Sequence, residues 1–106
     1  ILNSELGGIA GVAGAFYRPV CGRRGAMDLD ELHEKIRPAT RQNFGTALIC
    51  METTHNRAGG AVLPLAHMQA VHALAREHGV PVHTDGARLF NAAVALGVDA
   101  AQIAQH

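Results

Sequence analysis

Apolar residues recur every three or four positions in some stretches of this chain and run without interruption in others, a difference that separates amphipathic helices from buried strands. Residues 4–15 carry four glycines among small apolar residues, and Ser4 is a suitable helix N-cap. This pattern predicts a helix whose glycines permit close packing. The residues that follow, 16–21, are predicted to form a short strand.

The next predicted helix has clear signals at both ends. Asp28 can cap its N-terminus, and Glu31 stands three residues later, at the spacing of a capping box. Pro38 should end the helix, because proline cannot donate the backbone hydrogen bond that a helix interior requires. The apolar residues between these signals fall on one stripe: Leu29, Leu32 and Ile36.

A strand, a helix and a second strand are predicted in the middle of the chain. Residues 46–51 form a continuous apolar run, short enough for a buried parallel strand, and residues 80–83 form the second strand. Between them, Pro64 suits the start of a helix and Gly79 its end. The apolar stripe of this helix consists of Leu65, Met68, Val71 and Ala75. The sequence therefore predicts an α/β fold with a right-handed parallel connection.

Polar residues follow both predicted strands. Residues 52–56 come after the first strand, and residues 83–88 come at the end of the second. Because parallel strands end at the same edge of a sheet, the two clusters should lie together. In α/β proteins this edge is where ligands bind.

Asp85 is the first candidate for chemistry, because a carboxylate at the end of a buried strand needs a partner to stay ionised. A protonated ring nitrogen, such as that of pyridoxal phosphate, is one suitable partner. Arg88 could pair with Asp85 internally, or its planar fork could bind a substrate carboxylate. A further alternative is a metal site that uses His83 and Asp85, with His55 or His106 as the third ligand.

Two segments resemble a known family. Residues 83–92, HTDGARLFNA, resemble the HxDGARxFNA segment of low-specificity L-threonine aldolases, which are pyridoxal-phosphate enzymes of the β-eliminating lyase group. Residues 52–60, ETTHNRAGG, resemble the ENTHNxxGG segment of the same family. Thr53 stands where the family usually has asparagine. The resemblance extends over essentially the whole chain.

The resemblance implies the fold and the roles of three residues. The fold would be part of the large domain of a fold-type I enzyme, an α/β domain with a mostly parallel sheet and flanking helices. Asp85 would pair with the pyridine nitrogen of pyridoxal 5′-phosphate, Arg88 would bind the substrate carboxylate, and His55 would lie near the substrate β-hydroxyl to assist proton transfer. His83 would support this site.

The implied reaction of the parent enzyme is cleavage of L-threonine and L-allo-threonine into glycine and acetaldehyde. The implied assembly is a homo-oligomer, a tetramer, with a small β-hydroxy amino acid as its substrate. Another β-eliminating lyase activity and a non-catalytic module are the alternatives.

Composition narrows the classes of partner. Nine basic residues balance nine acidic ones, so charge gives no reason to expect a nucleic-acid or membrane-surface partner. No apolar run reaches the roughly 20 residues that a membrane-spanning helix needs. Cys21 and Cys50 lie in apolar runs without a metal-ligand spacing. They are predicted to be buried free thiols of a protein in a reducing compartment, the cytoplasm.

Lys35, the only lysine, is predicted to lie on a polar helix face and matches no family position. The family bonds its cofactor through a lysine in an SKG-type motif, which would follow a short way after residue 106. We therefore expect residues 1–106 to be a fragment of a single large domain, incomplete at both ends and inactive alone.

Overall fold

The computed structural model describes residues 6–106 as an α/β fold with short strands. Within these residues the strands form two pairs: β1 with β2 antiparallel, and β3 with β4 parallel. In chain order the elements are α1 (Gly8–Gly11), β1 (Gly22–Arg23), β2 (Ala26–Met27), α2 (Leu29–Lys35), β3 (Ile49–Glu52), a 3₁₀ turn (Asn56–Ala58), α3 (Leu65–Glu77), β4 (Val82–Asp85), α4 (Leu89–Leu96) and α5 (Ala100–Ala104).

The unit formed by β3, α3 and β4 is the predicted strand, helix and strand. The two strands pair in parallel, from Ile49 opposite Val82 to Glu52 opposite Asp85. Both strands begin and end later than the apolar runs suggest, so the last residue of each is a carboxylate. The polar residues are therefore part of the ladder, and their backbones are fixed by it.

The core lies between α3 and one face of the β3–β4 pair. Met68, Val71 and Ala75 of α3 are fully buried, as their stripe predicts. They belong to one cluster with Ile49 and Met51 of β3. Full burial of each large apolar side chain contributes about 1.5–3 kcal/mol, so this packing stabilises the parallel pair.

Both cysteines are free thiols, but they are exposed, and the prediction of burial is wrong. Cys50 alternates with the buried Ile49 and Met51, so its side chain lies on the opposite face of the strand. His83, its neighbour in the register, is exposed on the same face. The prediction assumed a strand covered on both sides, whereas residues 6–106 bury one. Partial desolvation still raises the pKa of the Cys50 thiol.

The N-terminal prediction is wrong in extent. α1 spans only Gly8–Gly11, and the predicted cap, Ser4, lies outside the described residues. Each glycine in a helix costs about 0.5–1 kcal/mol relative to alanine, so a glycine-rich segment supports only a short helix. Residues 16–21 do not form a strand, and Phe16 is 93% exposed. Of these residues, Cys21 borders a strand at its end, because its carbonyl accepts the Asp28 N–H just after β2 at 2.8 Å.

α2 begins where the sequence predicts. Asp28 Oδ1 accepts the backbone N–H groups of Asp30 and Glu31, each at 3.0 Å. Glu31 does not complete a capping box; its carboxylate binds Lys35 Nζ and accepts the Cys21 backbone N–H. These contacts lower the pKa of Glu31, and the bond to Lys35 is the largest cause. The only lysine is thus engaged within α2.

The last helix, α5, begins after Asp99, which is its N-cap. The Asp99 carboxylate accepts the Ala101 N–H at 2.8 Å, and Gln102 Oε1 accepts the Asp99 N–H at 3.1 Å, which completes a capping box. Within residues 6–106, no helix combines the length and the apolar character that crossing a bilayer requires.

A two-residue turn joins β1 to β2 in a hairpin that the sequence pattern does not predict. Arg24 and Gly25 have φ values of 53° and 87°, and positive φ at both positions is the property of a type I′ turn. The hairpin is attached to α3, because the Met27 N–H donates to His67 Nε2 at 3.2 Å. Burial lowers the pKa of the His67 imidazole.

We predict that His67 makes the stability of the protein fall on acidification. Its pKa is lower in the folded chain than its usual value of 6.5, so the neutral ring stabilises the fold fully above that value. This contribution is lost as the pH falls through the folded pKa. Protonation also removes the lone pair that accepts the Met27 N–H. Between about pH 8 and about pH 5, the free energy of unfolding of the full-length protein should fall more than that of a His67→Gln variant.

The control is the stability of the glutamine variant at high pH. Its side-chain oxygen can accept the same N–H, so the two proteins should have similar stability at about pH 8, where His67 is neutral. An equal loss of stability in both proteins on acidification would contradict the prediction.

Candidate functional site

Two loops meet at the carboxyl edge of the β3–β4 pair. The ladder places Glu52 opposite Asp85, and the Thr53 N–H extends it by donating to the Asp85 carbonyl at 3.1 Å. The loop after β3 and the loop after β4 therefore start side by side. The sequence prediction that both polar clusters lie at one edge of one sheet is confirmed.

Arg88 is held by the loop after β3. Its Nη2 donates to Glu52 Oε1 at 2.6 Å and to the Thr54 carbonyl at 3.1 Å. Its Nε donates to the Thr54 carbonyl and to the Thr54 hydroxyl, both at 3.2 Å. These bonds occupy the Nε–Nη2 edge of the guanidinium. Nη1 has no hydrogen-bond partner in the described part of the chain, so it is the nitrogen left to a ligand.

Asp85 does not pair with Arg88, so the internal pair that the sequence left open does not form. Asp85 Oδ1 accepts the Ala87 N–H at 3.1 Å, in the turn that leads to α4. The ion pairs found among residues 6–106 join Lys35 to Glu31 and Arg88 to Glu52.

Asp85 therefore keeps a half-buried carboxylate with no internal counter-ion among the described residues. Such a group can accept a hydrogen bond from a cationic ring nitrogen, and its charge favours the protonated form of that ring. The acceptor that Asp85 provides at this edge fits the protonated pyridine nitrogen of pyridoxal phosphate.

His55 lies in the loop after β3, at the N-terminus of the 3₁₀ turn. Its Nδ1 accepts the Ala58 N–H at 3.2 Å, and its backbone N–H donates to the Ala61 carbonyl at 2.7 Å. Because Nδ1 accepts a hydrogen bond, a neutral His55 ring carries its proton on Nε2. Nε2 is therefore the ring atom that can donate to a ligand.

The sequence-based prediction missed the roles of Glu52 and Thr54. It placed both in the first polar cluster but assigned the partner of Arg88 to Asp85 or to a substrate. Glu52 and Arg88 are 36 residues apart, and only the parallel register reveals their contact. The available signal was that Glu52 and Asp85 end two parallel strands, so a residue just beyond one strand can reach the other.

His83 and the metal alternative receive no support at this edge. His83 lies within β4 rather than at its end. It is exposed and stands opposite Cys50 in the ladder. In the range 6–106, no group of three or more histidine, cysteine, aspartate or glutamate side chains is arranged to hold a metal ion.

Comparison with known proteins agrees with the motifs. A model of the family described as beta-eliminating lyase matches residues 1–106. The chain is 42% identical over 97 residues to low-specificity L-threonine aldolase 1 of Arabidopsis thaliana. The matched region covers 89% of this chain and 27% of that protein. It is 38% identical over 104 residues to probable low-specificity L-threonine aldolase 2 of the same plant, over 95% of this chain and 29% of that protein. It is 35% identical over 103 residues to low specificity L-threonine aldolase of Escherichia coli K12, over 96% of this chain and 30% of that protein.

These relatives are much longer than the chain, which spans 27–30% of their length. The similarity nevertheless extends over 89–96% of the chain itself. With a family match that runs from residue 1 to residue 106, the chain belongs to the β-eliminating lyase family.

Proposed function

We propose that this chain is part of the large domain of a pyridoxal-phosphate enzyme that cleaves L-threonine and L-allo-threonine into glycine and acetaldehyde. The observation that carries the proposal is the parallel register that brings the loops of His55 and Arg88 to the strand end of Asp85. The names of three relatives, all low-specificity L-threonine aldolases, support the substrate class.

Asp85 would hold the pyridine nitrogen of the cofactor in its protonated form. The cofactor, when bound, supplies an electron sink for the charge that is released when the Cα–Cβ bond breaks. Asp85 can do this because Arg88, the nearest cation along the chain, is already paired with Glu52. Its Oδ1 is oriented by the Ala87 N–H, so the carboxylate is held in place at the strand end.

Arg88 would bind the carboxylate of the amino-acid substrate through Nη1. The sequence alone suggested a bidentate grip, but Glu52 and Thr54 already occupy the Nε–Nη2 edge. Those bonds restrict the rotamers of a long side chain. The entropy cost of fixing Arg88 is therefore met in the free enzyme and not at the moment of substrate binding.

His55 would donate its Nε2–H to the β-oxygen of the substrate. The bond from the Ala58 N–H to Nδ1 keeps the proton on Nε2 while the ring is neutral. A donor at this position would hold the β-oxygen beside the bond that breaks, and the β-hydroxyl proton would leave to an acceptor other than Nε2, which already carries a proton.

Assembly and location stay predictions: a homotetramer, which the resemblance implies, and the cytoplasm, which free cysteines favour. The cofactor-bonding lysine is likewise expected in a segment other than the one described, because Lys35 is engaged with Glu31 on α2. Residues 1–106 alone would then lack the covalent link to the cofactor and would not catalyse the reaction.

The activity is tested with the purified full-length protein and pyridoxal phosphate. Acetaldehyde and glycine should form from L-threonine and from L-allo-threonine. Pyruvate from L-serine or L-tyrosine, without acetaldehyde from threonine, would assign the protein to another β-eliminating lyase activity. No turnover of any of these amino acids by the cofactor-loaded protein would favour a non-catalytic role.

Replacement of Asp85 by asparagine should lower kcat for threonine cleavage by about 100-fold or more, because a neutral amide cannot stabilise a protonated pyridine nitrogen. Cofactor binding, followed by its visible absorption, should remain. The matched control is Asp99→Asn, since asparagine caps a helix about as well as aspartate and Asp99 lies at α5. Near wild-type kcat in Asp85→Asn would remove Asp85 from the proposed role.

Replacement of Arg88 by lysine should raise KM for threonine by about tenfold or more, with a smaller change in kcat, because the ammonium cannot reproduce the fixed fork. Arg76→Lys is the control, since Arg76 is an exposed residue in the last turn of α3. A kinetic profile of Arg88→Lys that matches Arg76→Lys would show that Arg88 does not bind the substrate carboxylate.

A further inference from the structure

The tip of the β1–β2 hairpin touches the ring of His55. A Cβ atom added at Gly25 would lie 2.6 Å from His55 Cβ, 2.6 Å from Cγ and 2.8 Å from Cδ2. These distances are shorter than any non-bonded carbon contact, so the backbone of Gly25 is already packed against the imidazole. Gly25 also has a φ of 87°, which an L side chain rarely adopts.

The hairpin is fixed at its other end by a hydrogen bond to α3, by a bond that closes its two strands, and by its direct continuation into α2. The Met27 N–H donates to His67 Nε2 on α3 at 3.2 Å, and the Asp28 N–H donates to the Cys21 carbonyl at 2.8 Å. Asp28 is in turn the N-cap of α2. The position of Gly25 therefore depends on bonds made several residues away from it.

His55 has two restraints of different kinds. The Ala58 N–H holds Nδ1, which fixes the edge of the ring, while Gly25 covers carbon atoms of the side chain. A hydrogen bond alone permits the ring to tilt about it, so the contact with Gly25 limits the remaining motion. The two restraints together determine where Nε2 lies.

We propose that the β1–β2 hairpin, held to α3 by His67, positions the His55 ring, so that Gly25 and His67 are positioning residues for the reaction. Neither residue touches the substrate; both act through His55. The proposal rests on the proposed function, because it assumes that His55 Nε2 meets the β-oxygen. A displacement of about 1 Å in a group that meets the substrate can cost about 100-fold in rate, which gives such a packing contact catalytic weight.

The first test is Gly25→Ala, compared with Gly97→Ala. Gly97 also has a positive φ, 66°, but a Cβ there meets no atom within 4 Å, so this control has the backbone strain without the ring contact. In the full-length enzyme, Gly25→Ala should lower kcat for threonine by about tenfold or more. The exchange of the glycine α-proton with solvent, which involves no β-oxygen, should change less than about twofold. Gly97→Ala should change neither rate.

The second test does not depend on substitution of a strained glycine. His67→Leu removes the acceptor of the Met27 N–H, whereas His67→Gln keeps an acceptor. At about pH 8, His67→Leu should reproduce the loss in kcat, and His67→Gln should restore most of it. If His67 affected only overall stability, His67→Leu would lower the rates of threonine cleavage and of glycine proton exchange equally. The His67 pair decides the question if Gly25→Ala does not fold.

The ring itself gives a readout that is independent of activity. In enzyme labelled with ¹⁵N-histidine, the His55 signals, assigned through a His55→Asn variant, should shift in Gly25→Ala and His67→Leu and stay unchanged in Gly97→Ala. Unchanged His55 signals and unchanged kcat in Gly25→Ala and His67→Leu would overturn the proposal. A wild-type enzyme that does not cleave threonine would overturn the proposed function, while the ring signals would still show whether the hairpin orients His55.

Discussion

The parallel pairing of β3 with β4 is the constraint on which the rest of the site depends. It sets Glu52 opposite Asp85 and thereby fixes the start of both functional loops. The register is itself determined by packing, since Ile49 and Met51 are buried against the core. A slip by one residue would turn these apolar side chains to the open face and would move the carboxylates away from each other. The geometry of the polar site thus follows from the apolar stripe of α3.

The two acidic residues that end the strands have different partners: Glu52 pairs with Arg88, and Asp85 has no cationic partner among the described residues. Arg88 lies three residues after Asp85 in the sequence, yet its ion pair is with Glu52 across the ladder. The pair is partly exposed, and such pairs contribute only about 0–1 kcal/mol to stability. Its consequence is therefore positional: it orients the guanidinium and leaves the carboxylate of Asp85 without an internal cation. A direct bond between Asp85 and Arg88 would have given Asp85 an internal counter-ion, which would compete with the cationic ring nitrogen of the proposed cofactor.

Local signals were sufficient to predict the elements that have their own period and caps. The stripe and termini of α3 and the N-cap of α2 at Asp28 were read from neighbouring residues. The order of strand, helix and strand followed from the same signals. Asp85 and Arg88 were candidates from their place after a buried strand, and motif resemblance supplied their specific roles and the role of His55. The structure brings the loops of these residues to one edge.

Properties set by distant residues were not predictable in the same way. Cys50 looked buried because a continuous apolar run does not show which faces of a strand are covered. The hairpin was missed because an Arg-Gly pair is a weaker type I′ signal than Asn-Gly, and Arg24 adopts its positive φ only in the folded context. The bond from Met27 to His67 spans 40 residues, so no local pattern contains it.

The orientation of the His55 ring likewise depends on a residue that is distant in the sequence. Local bonds within the loop, from Ala58 to Nδ1 and from His55 to Ala61, fix the backbone and one ring nitrogen. They do not fix the tilt of the ring, which has a broad torsional minimum about its sp³–sp² bond. A contact from outside the loop must supply that restraint, and among the described residues Gly25 lies against the ring. Only a residue without a side chain can approach so closely, so the position of a catalytic candidate is tied to a glycine that carries no chemistry of its own.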